Sequence, residues 1–149
     1  MNRIVVALGN RMRSDDGVGP AVLDALRRSP PSGVAFMELG DDATALVDAL
    51  DGVEHAVLID ATCSGAEAGA VMHFPEAALQ DAGFPRASTH TVSLIDALGL
   101  CAALGHTPEV DVIGIEAQSV APGAELSPAV SAAVPRAVAL VLQQLTKGE

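Results

Sequence analysis

Aromatic side chains are scarce in this 149-residue chain. They make up 2%, as three Phe with no Trp and no Tyr. The stacking platforms on which proteins hold bases or sugars are therefore largely missing. Basic residues are few as well. Eight Lys and Arg stand against 19 Asp and Glu, and a net charge of -11 argues against nucleic acid, whose phosphates need a basic surface. That balance suits a basic protein partner or a bound cation instead. The two cysteines, Cys63 and Cys101, are too few and too far apart for a disulfide framework or a Cys-rich zinc site. No apolar run approaches the roughly 18 residues of a membrane span. The chain opens directly on strand-like Arg3-Ile4-Val5-Val6 with no signal peptide before it. A cytoplasmic protein with no membrane partner is expected.

What is present is an apolar half: hydrophobic residues make up 50% of the chain, in runs broken by Gly, Pro and charges. The length suits one domain, residues 1–149, with a proper core. Arg3 to Leu8 is continuously apolar after its first residue, as a strand buried on both faces of a parallel sheet would be. Gly9 to Gly19 forms a glycine-punctuated turn into a helix from about Gly17 to Arg28, with Val18, Val22 and Leu26 on one face. Val34 to Leu39 is the second strand, and Asp42 is placed to cap a helix over Ala43 to Leu50. His55 to Ile59 is the third strand and runs into Asp60. Ala70 to Phe74 reads as a short strand antiparallel to the others, followed by about two helical turns over Pro75 to Ala82. A helix from Thr91 to Leu104 turns Leu94, Ile95, Leu98, Cys101 and Ala102 inward. Val110 to Ala117 is the last strand. Ser127-Pro128 opens a final helix to Leu145 that is either kinked at Pro135 or begins only there. This alternation predicts an α/β fold: a three-layer α/β/α sandwich around a twisted, mostly parallel sheet of about five strands, one of them antiparallel.

In such folds the working residues lie at the carboxyl ends of the strands. Asp15 and Asp16 follow the first strand, Glu38 closes the second, Asp60 the third, and Glu116 nears the end of the last. The glycine loop has neither G-x-G-x-x-G nor G-K-[ST], and two carboxylates in it would repel a phosphate, so it suits a metal or a proton transfer better. Asp15 and Asp16 cannot both cap the first helix, which leaves one over. Asp60, at the tip of a buried strand, is costly unless paired or bound, although a turn-capping role would also satisfy it. Among the four histidines, His55 and His106 lie beside turns and read as incidental, and His73 is expected exposed on an edge strand. His90 stands at a helix start, where the dipole keeps its ring neutral, as a metal ligand must be. One Asp after the first strand, Asp60 and His90 would form a mixed oxygen and nitrogen site for a divalent metal with open positions, able to assist hydrolysis. Cys63 has no His near it in sequence and reads as a loop or packing residue, and Cys101 as core. No G-x-S-x-G elbow surrounds Ser64-Gly65, which argues against a serine hydrolase.

Four blocks occur in order: Leu8-Gly9-Asn10 through Asp15-Asp16-Gly17-Val18-Gly19-Pro20; Val57-Leu58-Ile59-Asp60-Ala61; Ser88-Thr89-His90 followed by Ser93-Leu94 and Ala97-Leu98; and Gly114-Ile115-Glu116-Ala117 with Leu126-Ser127-Pro128-Ala129-Val130. In these blocks and their spacing the chain resembles the hydrogenase maturation proteases, which process the large subunit of nickel–iron hydrogenases. The resemblance implies Asp16, Asp60 and His90 as the metal-binding and catalytic trio, with Asp15 a cap or supporting partner. It implies an endopeptidase that removes the C-terminal extension of a large-subunit precursor after nickel insertion, the nickel ion being carried by that precursor. The implied partner is the precursor. A monomer acting in a transient complex is the default expectation. Leu39 departs from the Gly pair that family members often carry after the second strand. A non-cleaving metal-binding or chaperone-like relative that docks on the large subunit is the alternative. A flavodoxin-like module for a phosphate-bearing ligand is a third reading, which the acidic loop disfavours.

Overall fold

A computed structural model describes residues 2–79 and 89–147, without the side chains of residues 43 and 89–93. Five strands form one sheet: β1 (Arg3–Leu8), β2 (Val34–Gly40), β3 (His55–Thr62), β4 (Val71–Pro75) and β5 (Glu109–Glu116). Their order is β2-β1-β3-β5-β4, parallel throughout except that β4 runs antiparallel to β5. The helices are α1 (Val18–Arg28), α2 (Leu46–Ala49), α3 (Glu76–Leu79), α4 (Thr89–Ala103) and α5 (Pro128–Leu145). The expected sandwich, mostly parallel with one antiparallel strand, is the fold that forms.

The pleat of the central strands divides the core in two. Val5, Ala7, Val57, Ile59, Ile113 and Ile115 pack with α1 and α5. Ile4, Val6, Leu8, Ala56, Leu58, Val110 and Val112 face the other way, onto α2 and α4. Because both faces are covered, these strands read as unbroken apolar runs rather than alternating ones. Each fully buried Val, Leu or Ile contributes about 1.5–3 kcal/mol of transfer free energy, so the two layers dominate stability.

The chain leaves β1 through α1 to reach β2 on one side, then returns to place β3 on the other side of β1. That reversal opens a crevice at the carboxyl ends of β1 and β3, where α/β sheets bind their ligands.

Several local expectations are corrected. The helix expected over Ala43 to Leu50 is a 3-10 turn, Ala43–Ala45, followed by the single turn of α2. Asp42 accepts both the N–H and the hydroxyl of Thr44, which tightens the entry, and so short a segment gains little against the cost of helix nucleation. β3 continues past Ile59 to Thr62 because β5 offers Gly114, Ile115 and Glu116 as partners. On α4 it is Ala97, not Ala102, that joins Leu94, Leu98 and Cys101 in the core. Only Glu76–Leu79 of the segment Pro75 to Ala82 is helical among the described residues. α5 begins at Pro128 and runs through Pro135, which lies on its exposed side. Long and apolar enough by composition to cross a membrane, α5 here packs Val130, Ala133, Ala137, Val141 and Leu145 into the layer shared with α1. Leu39 is the extra residue of a bulge: Ala7 pairs with Glu38 but Leu8 with Gly40, and Leu39 turns into the α2/α4 layer.

Candidate active site

The glycine loop is shaped by close backbone approach. Gly9 has φ +121°, and a side chain there would place its Cβ 2.0 Å from the carbonyl oxygen of Asp16. Gly19 brings α1 so near the strand ends that a Cβ would lie 2.5 Å from Leu8 O and 2.8 Å from Ile59 O. Between them a 3-10 turn, Ser14–Gly17, buries Asp15 and Asp16 side by side in sequence but in different environments.

Asp15 is a staple. One of its oxygens accepts the Ser127 N–H at 2.7 Å; the other accepts the N–H groups of Gln118 (2.9 Å) and Ser119 (3.1 Å) and the Ser127 hydroxyl (2.9 Å). Burial alone would raise its pKa, but these donors outweigh it and hold the carboxyl below its ordinary range. Ser127 does begin α5, yet its hydroxyl is spent on Asp15 rather than on its own helix. Asp15 thus ties the glycine loop to residues 118, 119 and the start of α5. Asp16 Oδ2 accepts the Asn10 N–H at 2.8 Å, and Asn10 Oδ1 in turn accepts the Met12 N–H at 2.8 Å. The loop holds its own carboxylate in place.

Asp60 is buried near the end of β3, with Oδ1 accepting the N–H of Ala61 at 2.8 Å. Strand parity aims it toward the α2/α4 layer, on the same side as Ala56 and Leu58. His90 is the second residue of α4, in that same layer, and its side chain lies outside the described residues.

The other carboxylates of this rim have structural duties. Glu116 accepts the Thr62 hydroxyl (2.9 Å), the Ser64 hydroxyl (2.6 Å) and the N–H groups of Ser64 (3.0 Å) and Gly65 (3.2 Å), and so fixes the turn that follows Asp60. Glu38 and Asp24 are both paired with Arg11, at 2.7 and 2.8 Å. The hydrogen-bonded guanidinium holds both carboxyls below their ordinary range. Asp16 and Asp60, buried at the ends of β1 and β3, are the carboxylates nearest the reversal of strand order.

Both lie close enough to Cys63 to act on its thiol. Burial, first, and then the negative charges of Glu116, Asp16 and Asp60 push its thiol above the ordinary value, against a weaker opposing pull from Arg13. A thiol kept protonated by that field is a poor nucleophile, and Cys63 is a loop residue as its sequence context indicates. The same field, from buried carboxylates held largely by N–H and O–H dipoles, favours a cation in the crevice.

The far rim holds what sequence reasoning passed over. His55 is buried rather than incidental: its Nε2 lies 2.8 Å from Asp111 Oδ2. His73, expected exposed, is half-buried, with Nε2 2.6 Å from Asp111 Oδ1. A signal was available in Asp111 itself, a carboxylate inside an apolar strand.

Comparison with known proteins adds the family. The chain matches the hydrogenase maturation protease family over residues 20–144. It is 29% identical over 152 residues to the coenzyme F420 hydrogenase subunit delta of Methanothermobacter thermautotrophicus, covering 95% of this chain and 93% of that one. It is 26% identical over 153 residues to the hydrogenase 2 maturation protease of Escherichia coli, covering 97% and 91%. The solved structure of the [NiFe] hydrogenase maturation protease HybD from Thermococcus kodakarensis superposes with a TM-score of 0.81 at 33% identity, covering 99% of this chain and all of that one, 100%. The strand order, the carboxylate-lined crevice and these likenesses agree, and the chain belongs to the hydrogenase maturation protease family, a family of peptidases.

Proposed function

We propose that this protein is a nickel-dependent endopeptidase that removes the C-terminal extension of a nickel–iron hydrogenase large-subunit precursor once nickel has been inserted. Asp16, Asp60 and His90 ligate the nickel that the precursor presents, so the ion belongs to the substrate. Binding there holds the scissile peptide against the crevice, and water is activated beside it, by the ion or by a carboxylate acting as general base. The observation that carries the reading is that two buried carboxylates, Asp16 after β1 and Asp60 near the end of β3, lie where the strand order reverses, both near enough to raise the Cys63 thiol. Gly9 and Gly19 let the loop and α1 pack closely against the strand ends there. The partner is the precursor, met in the cytoplasm by a monomer in a transient complex.

The test is incubation with nickel-loaded precursor and mass measurement of the product. Asp16→Asn and Asp60→Asn are expected to slow release of the C-terminal peptide at least about 100-fold with the fold intact, in the range of losing a catalytic group. Release at the normal rate by either variant would sink the assignment.

A second reading is favoured by one relative, which is named as a hydrogenase subunit rather than as a protease. In it the chain docks on the large subunit without cutting. Stable association with the precursor and no change in its mass would select that reading.

A further inference from the structure

The sheet carries a second cluster of metal-ligating side chains at the rim opposite the crevice. His55 starts β3, Glu109 and Asp111 start β5, and His73 lies on β4. Ligand atoms of His55, Glu109 and Asp111 all fall within 4.8 Å of one another. Both imidazoles present Nε2 to the same carboxylate, at 2.8 and 2.6 Å. Strand parity puts His55, His73 and Asp111 on one face, that of α1 and α5, where Lys147 follows the end of α5. The Lys147 ammonium lies 3.2 Å from Asp111 Oδ1 and 3.6 Å from Glu109 Oε1. From His55 to Asp60 along β3 is roughly 16 Å, so this cluster is separate from the crevice.

We infer that His55, Asp111 and Glu109 form a second metal site, for a divalent ion of the zinc class, with His73 steadying Asp111 from the edge strand β4. One imidazole nitrogen and two carboxylates make a three-ligand set that leaves tetrahedral zinc one open position. With bonds of about 2.1 Å, neighbouring ligand atoms sit about 3.4 Å apart, so the His55–Asp111 contact needs to open by about 0.6 Å. The His55 ring moves its proton from Nε2 to Nδ1 and stays neutral. Lys147 occupies the position of positive charge between Asp111 and Glu109. Its side chain is 44% exposed and can leave, giving up its place to the ion. Asp111 and Glu109 then meet two positive charges in place of one.

The experiment uses the full chain carrying Asp16→Asn, so that the crevice is weakened as a competing site, and measures zinc by calorimetry and after desalting. About one equivalent is expected to stay bound, with cobalt giving the visible bands of a tetrahedral ion. His73→Gln, on the half-buried edge strand, and Glu109→Gln, at an exposed position, should each weaken zinc binding at least about tenfold while circular dichroism stays unchanged. Lys147→Ala should tighten it about threefold, the worth of one exposed ion pair whose cation no longer competes. Imidazole NMR should show cobalt perturbing His55 and His73. No retained zinc in the Asp16→Asn protein overturns the inference. So does unchanged affinity in both His73→Gln and Glu109→Gln, which would send the metal elsewhere and leave the cluster as a hydrogen-bonded brace.

Discussion

The two rims of the sheet bury carboxylates by opposite means. At the carboxyl rim, Asp15 and Glu116 are held by N–H groups and hydroxyls. Dipoles of this kind stabilise an anion without cancelling its charge. At the amino rim, Asp111 is held by two imidazoles and an ammonium, groups that can balance the charge or coordinate a metal in their own right. The first arrangement leaves a negative field directed into the crevice, which Cys63 registers as a raised pKa set first by burial and then by three carboxylates. The second is closer to electroneutral and closed. The proposed function, in which a cation arrives with another protein, calls for the first arrangement.

The strongest way to break the comparison is to disturb the backbone on which the carboxyl rim relies. Gly9→Ala forces a side chain into a positive φ and onto the Asp16 carbonyl. It should cost about 3 kcal/mol by denaturant titration and abolish precursor cleavage, whereas among the described residues no glycine constrains Asp111 in this way. A milder probe compares Asp15→Asn with Asp111→Asn, each expected to cost about 2 kcal/mol at neutral pH as charge-assisted bonds are lost. For both aspartates the folded-state pKa is depressed, in Asp15 by N–H donors against opposing burial and in Asp111 by His73, His55 and Lys147 against opposing burial. Their stabilisation is therefore present above the unfolded value of about 3.9 and lost as pH falls through the folded value, so each variant's deficit should vanish in acid. About 1 M salt should shrink the Asp111→Asn deficit, which includes an exposed Lys147, and leave the Asp15→Asn deficit nearly unchanged. Equal salt sensitivity would erase the distinction between the rims. The smallest effect is expected from Arg11→Ala, below about 1 kcal/mol because its ion pairs are exposed. NMR titration should then show the Glu38 and Asp24 carboxyls rising toward their ordinary values.

The strands were legible because burial on both faces leaves a simple mark, the continuous apolar runs around Val5 and Val57. Asp60 was legible for the same reason: a charge at the end of such a run stands out. Which of Asp15 and Asp16 faces the crevice was not legible from their types. The two differ by one step of a 3-10 turn, and the distinction is made by residues 118, 119 and 127, more than a hundred positions away. The His55–Asp111–His73 cluster was hidden likewise, since it depends on the register of β5 against both β3 and β4. The bulge at Leu39 has no local signature, because it arises where β1 imposes its pairing on β2. The short helix α2 was overread from an apolar stretch whose capping Asp42 favours a tighter turn.

The Asp15 staple also sets an order of events. Its bonds to Ser127 close a separation of 112 residues, and further ties join Ser14 to Gly123 and Ala121. Contacts of such sequence distance cost loop-closure entropy before they repay it. The turn that carries Asp16 is braced only once residues 118, 119 and 127 have docked on its neighbour, so the loop after β1 and the start of α5 are ordered together, and a chain with α5 undocked has the carboxylates without the crevice they line.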